Sequence, residues 1–185
     1  DKPNQILVIN NEQDGLESAL SKAAQIEHYT GAEVEVAQVI WDTVEEEPIP
    51  EQDKATLIEA FVAAERHGLE RLLEPYLERI AWSEAKVLWD KRTESAILNE
   101  AARTRADLLI KPAASHTLGD YLHAPLDWQL IRKAPCPVLI SKSSRWQAKS
   151  SVLCAVDVAD DAHRALTDRI IVTAKLIADT LNAEL

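Results

Sequence analysis

The chain has 185 residues, 46% of them apolar and 28% charged, the balance of a globular protein with material for one well-buried domain and some to spare. A net charge of −11 speaks against a broad footprint on a phosphate backbone, so nucleic acid is not an expected partner. There is no run of 18 apolar residues and no basic segment leading into an apolar core, so no membrane partner is expected and a cytoplasmic setting is.

Ile6-Leu7-Val8-Ile9 is a continuous apolar run of strand length, suited to the middle of a parallel sheet buried on both faces. Asp14 stands three residues before Glu17, the spacing of a capping box, and predicts a helix. Its apolar face of Leu16, Ala19, Leu20 and Ala23 runs on to Thr30-Gly31, where glycine supplies a left-handed stop. Val34, Val36 and Val39-Ile40-Trp41 predict the second strand. Glu45-Glu46-Glu47 and the prolines at 48 and 50 then predict an exposed loop from Thr43 to Pro50.

A long amphipathic helix is expected from about Lys54 to Ile80, its stripe of Ile58, Phe61, Val62, Leu69, Leu72, Leu73, Tyr76, Leu77 and Ile80 read as core packing. Pro75 should kink or break its last turn. Ala85, Val87 and Trp89 alternate as a third strand, and Thr93 opens a helix with Ile97, Leu98, Ala101 and Ala102 inward, ending near Ala106. Leu108-Leu109-Ile110, a helical segment over Leu126–Lys133 and Val138-Leu139-Ile140 complete a right-handed βαβ unit, and five strands alternating with four helices imply an α/β sandwich. Trp128 is expected between helix and sheet. Cys136 and Cys154 lack C-x-x-C spacing and read as buried thiols.

In such sheets ligands bind beyond the carboxyl ends of the strands, so chemistry belongs in the loop after Ile110. A phosphate cradle needs glycines, and between Lys111 and Lys133 there is one, Gly119. Lys111 is either a point charge for a phosphate or a stem covering the strand end. Ser115, His116, Asp120 and His123 lie in the loop without the elbow or oxyanion hole of a hydrolase. Together with the cysteines they lack zinc-ligand spacing.

Residues 143–150 turn polar and basic and read as a linker. After it, Val152-Leu153-Cys154-Ala155-Val156-Asp157 repeats the pattern of Ile6–Asn11, 146 residues on. Asp160-Asp161 precede a helix with Leu166, Ile170, Ala174, Ile177 and Leu181 on one face, and Asn182-Ala183-Glu184 echoes Gly31-Ala32-Glu33, 151 residues on. The organisation expected is a first domain over 1–142, a linker over 143–150, and the start of a second, truncated domain of the same type over 151–185.

Ala106-Asp107-Leu108-Leu109-Ile110 followed by Arg132-Lys133-Ala134-Pro135-Cys136-Pro137-Val138-Leu139-Ile140 resembles the C-terminal half of a universal stress protein domain, and the whole resembles the family's tandem E type. The resemblance implies an open parallel five-stranded sheet of order 3-2-1-4-5 with helices on both faces, the adenine nucleotide alpha hydrolase-like architecture. ATP-binding members carry G-x2-G-x9-G-[ST] between these strands. Aligned on the shared Ala-Pro-Cys-Pro-Val, those positions are Lys111, Ala114, Ala124 and Pro125: the spacing is kept, every glycine is replaced, and proline stands in place of the phosphate-binding hydroxyl. Asn11 takes the place of an aspartate that holds the nucleoside, Val39 belongs to the same nucleotide-site set, and Asp157 keeps the aspartate in the second copy.

What this implies is a non-enzymatic stress-response module, without a cofactor, whose first copy has a degenerate nucleotide site. The alternatives are ATP binding or slow hydrolysis through the second copy, or carriage of an apolar small molecule in the remodelled cleft. The implied partner is the second universal stress domain of the same chain, in an intramolecular pseudo-dimer joined through the last strands, or a homodimer.

Overall fold

The computed structural model describes residues 2–11, 15–76, 80, 82–113, 126–142, 150–156, 164–181 and 183–185. It separates into two compact units, Asp1–Ser144 and Arg145–Leu185. In the first, β1 (Gln5–Ile9), β2 (Glu33–Ile40), β3 (Trp82–Trp89), β4 (Leu108–Pro112) and β5 (Val138–Ser141) form one sheet of order β3-β2-β1-β4-β5. Every pairing is parallel, with Ile6 opposite both Val34 and Leu108.

Helices α1 (Leu16–Thr30), α2 (Glu51–Leu73), α3 (Thr93–Arg103) and α4 (Leu126–Lys133) alternate with the strands. Two apolar clusters fill the two faces. Ile6 and Val8 pack with Leu20 and Ala23 of α1 and Leu69 and Leu73 of α2, while Leu7 and Ile9 pack with Ile97 and Ala101 of α3 and Leu130 of α4. Because side chains alternate along a strand, the unbroken run in β1 feeds both cores at once.

Local structure departs from the sequence reading in several places. Helix α1 starts at Leu16 behind Gly15, which is left-handed at φ 113° and gives no side-chain cap; Asp14 lies outside the described residues. The stop at Gly31 is as expected, at φ 72° with its N–H donating to the Glu27 carbonyl at 2.7 Å. Thr43–Glu46 is not loop but a 3-10 turn: the Asp42 carboxylate accepts from the Val44 N–H, and Val44 is buried. Pro75 does break the long helix, which gives way to a 3-10 turn over Glu74–Tyr76.

The stripe of α2 is only partly core. Leu69 and Leu73 are buried, Ile58, Val62 and Tyr76 half-buried, and Phe61 and Leu72 exposed. A helix of 23 residues is about 35 Å long and overhangs the eight-residue strands beneath it, which span about 26 Å. Phe61 reaches back only as far as the Trp89 ring, 6.3 Å between centroids. In α3, Ala96 is buried in place of Ala102, which is exposed. Trp128 lies on the outer face of α4 and is 61% exposed, because Leu130 takes the inward position. Both cysteines are free and half-buried rather than buried, and burial pushes the Cys136 thiol above its ordinary range.

A charged cluster lies within the α3 side of the sheet. Glu35 of β2 and Glu100 of α3 are both buried, and their carboxyls share a hydrogen bond. The Arg103 guanidinium donates to Glu35 at 3.1 Å and to Glu100 at 2.7 Å, and the Lys86 ammonium sits 2.8 Å from Glu100. Burial, reinforced by Glu100, pushes Glu35 up to about 7. Burial also opposes the charge on Glu100, but hydrogen bonds from Arg103 and Lys86 prevail and hold it down to about 2.

In the second unit α5 (Arg164–Leu181) buries Ala174 and Ala178, while Leu166 and Ile177 of the expected inward face are exposed. Among the described residues the expected strand is replaced by an isolated parallel bridge, Ser151 opposite Glu184. The Val152 N–H donates to the Glu184 carbonyl at 2.6 Å and the Glu184 N–H to the Ser150 carbonyl at 3.1 Å. The first unit makes the equivalent start: Gln5 pairs with Glu33, whose N–H donates to the Asn4 carbonyl at 2.8 Å.

Candidate binding cleft

Parallel strands expose their carboxyl ends on one side, and here β1 stops opposite Ala37 while β2 runs on to Ile40. Ile9 pairs with Ala37, and the Asn10 N–H still donates to the Ala37 carbonyl at 2.8 Å. The backbone ladder then ends, and the Asn11 side chain continues it. Its Oδ1 accepts from the Val39 N–H and its Nδ2 donates to the Val39 carbonyl, both at 3.2 Å. Asn10 begins a second chain of amides: its Nδ2 donates to Gln38 Oε1 at 2.7 Å, and Gln38 Nε2 donates to the Glu65 carboxylate of α2 at 3.0 Å.

These residues line a cleft of about 710 Å³ between the start of α1 and α2, with Leu16, Leu69 and Leu72 as apolar wall and Arg71 at the rim. That volume is in the range of small-molecule sites.

On the far side of β1, Lys111 takes neither course open to it in the sequence. Leu109 packs against Leu130 of α4, and two residues on Lys111 must share that face. It is fully buried, its ammonium 2.9 Å from Asp127 in the first turn of α4 and donating to the Pro112 carbonyl at 2.8 Å. On the opposite face, Lys22 of α1 donates to Ser18 at 3.1 Å and to Ser141 of β5 at 3.0 Å, and the two hydroxyls are hydrogen-bonded to each other. All three are buried, and desolvation lowers the Lys22 pKa.

Of the expected nucleotide-site positions, Asn11 and Val39 are thus in direct contact, and Lys111 is turned away into the α4 layer. Ala114, Ala124, Pro125 and Asp157 lie outside the described residues, as do Ser115, His116, Asp120 and His123. Among the described residues no group of His, Cys, Asp or Glu side chains is placed to hold a metal ion. No helix among them is long and apolar enough to cross a membrane. Sequence reasoning missed Asp127, Gln38, Glu65 and the Ser18–Lys22–Ser141 cluster. Two signals were available: an aspartate in the turn that follows Pro125, and a serine four residues before a lysine on the same helical face.

A 3-2-1-4-5 parallel sheet between two helical layers, with a cleft at its carboxyl edge, defines a doubly wound α/β domain. Residues 3–142 match the universal stress protein family, and the chain belongs to that family. Within it, the chain is similar to Universal stress protein E of Photorhabdus laumondii, 30% identical over 181 residues that are 95% of this chain and 57% of that protein. It is likewise similar to Universal stress protein E of Escherichia coli K12, 28% identical over 97% of this chain and 58% of the relative; the chain spans little more than half of these relatives. A crystal structure from Pseudomonas aeruginosa UCBPP-PA14, provisionally described as a universal stress protein, superposes with a TM-score of 0.70 at 26% identity, covering 99% of this chain and 60% of that one.

Proposed function

We propose that the chain is a non-enzymatic binding module of the stress response whose first domain has lost the phosphate half of its nucleotide site. The observation behind this is the place of Lys111. At the position of the family's first glycine stands a lysine whose side chain is buried toward α4, so it offers an anion neither bare backbone nor a free charge. Its charge is already matched by Asp127, which also faces the positive end of the α4 dipole. A triphosphate would have to displace a carboxylate from a buried pair.

One universal stress protein has been solved in complex with cAMP, and the Archaeoglobus fulgidus protein in complex with dAMP. At 19% and 18% identity these likenesses carry the fold alone. Any ATP binding or slow hydrolysis would then be the work of a second copy beginning at Ser151, in which Asp157 stands. The β-bridge of Ser151 with Glu184 supports that copy: it falls 146 residues after Gln5 and 151 after Glu33, the offsets of the sequence repeat. Pairing of the two domains through the outer edge of β5, in the cytoplasm, belongs to the same reading. The apolar wall of the cleft favours a second reading, carriage of a small apolar molecule.

Titration calorimetry of the chain with magnesium ATP tests the proposal. No binding is expected at ligand concentrations up to about 1 mM. Micromolar binding that survives Asp157→Ala overturns it.

A further inference from the structure

The carboxamide of Asn11 and the backbone of Val39 form a closed pair of hydrogen bonds, donor to acceptor and acceptor to donor, each 3.2 Å. An adjacent N–H and C=O on one residue complement any planar ligand edge that sets a donor beside an acceptor, as a primary carboxamide or a 6-aminopurine does. The side chain that fills them has that same pattern. Both groups open on the 710 Å³ cleft, whose apolar wall of Leu16 and Leu72 suits the faces of a flat ring.

We propose that Asn11 is the specificity-determining residue of this cleft: it acts as a resident surrogate for a ligand's donor–acceptor edge and bars 6-aminopurines from Val39. An aspartate at the same position would accept from the Val39 N–H but, ionised, has nothing to donate to the carbonyl. Asparagine satisfies both and leaves a base nothing to gain. The inference rests on the reading of this cleft as a remodelled nucleotide site, but it concerns the base end and needs no phosphate.

The test uses adenosine, which carries no phosphate, on the 185-residue chain. In the unmodified protein the Val39 amide should exchange slowly with deuterium, and adenosine should leave both its exchange and its NMR shift unchanged. In Asn11→Ala the amide should lose protection, adenosine should bind at least about tenfold more tightly than to the unmodified chain, and protection should return with ligand. Purine riboside, which lacks the 6-amino donor, should not substitute. If Asn11→Ala folds poorly, Asn11→Gly removes the same amide and carries the same expectation.

Equal adenosine affinity with and without the Asn11 carboxamide overturns the proposal. So does fast exchange at Val39 in the unmodified protein, whatever the variants do. Binding of magnesium ATP that survives Asp157→Ala, alongside unchanged rejection of adenosine, would instead overturn the phosphate-end reading alone.

Discussion

Replacing Glu35 by glutamine should make the protein more stable at neutral and alkaline pH. The carboxyl of Glu35 is pushed from 4.5 up to about 7 by burial and by its neighbour Glu100. A raised pKa favours the folded state where the group is protonated. That contribution is complete below about pH 4.5 and is lost as pH climbs through about 7. At roughly 1.4 kcal/mol per unit the shift sets a ceiling of about 3 kcal/mol on the loss. Glu100 adds nothing to the slope in this window, since it is held near 2 and is ionised throughout.

Glutamine keeps the shape and the donor that a protonated Glu35 offers Glu100, and removes the second negative charge. Glu35→Gln should therefore match the parent near pH 5 and exceed it by about 1–3 kcal/mol at pH 8, a rise in melting temperature of several degrees. Thermal unfolding followed by circular dichroism from pH 5 to 8.5 measures both. A variant that melts lower at pH 8, with the parent's pH slope intact, would show that the two carboxylates are ionised together and that Arg103 and Lys86 carry them both.

Asp127→Ala should cost about 3–5 kcal/mol in urea denaturation, because it leaves the Lys111 ammonium buried without its carboxylate. The double change Lys111→Met with Asp127→Leu, which replaces both charges by apolar side chains of similar size, should recover most of that loss. Gly31→Ala should cost about 1 kcal/mol, the strain of a left-handed residue with open space around it. Gly15→Ala should cost at least about twice as much, since its Cβ would come within 2.8 Å of the Pro112 Cβ as well; equal losses at the two glycines would remove the steric part of this reasoning.

The fold was legible because apolar runs and breakers are local signals. Ile6–Ile9 announced a strand buried on both sides, Gly31 a left-handed stop and Pro75 a helix break, and each is found where its chemistry places it. Exposure was harder to read, because it depends on what lies opposite. Phe61 and Leu72 keep helical spacing, yet Phe61 meets the Trp89 ring at the end of β3, and Leu72 lines the cleft while Leu69 and Leu73 take the inward positions; Trp128 is large and apolar, yet α4 is eight residues long and Leu130 fills its inward face. The cleft was half legible. The loss of glycines at Lys111 can be read from the chain, but its turn toward Asp127 follows from strand parity and helix docking together. That Asn11 would close on Val39 depends on β1 ending opposite Ala37 while β2 runs on to Ile40.

The hydroxyls and ammonium that fasten β5 to α1 come from opposite ends of the domain: Ser141 lies 123 positions from Ser18 and 119 from Lys22. Contacts so distant in sequence close late, since the chain entropy of the intervening loop must be overcome first. On the ribosome, Lys22 emerges long before Ser141 exists to accept its hydrogen bond. The outer strand is therefore the last part of the sheet to be secured, and the segment most exposed to misdirected pairing while synthesis continues.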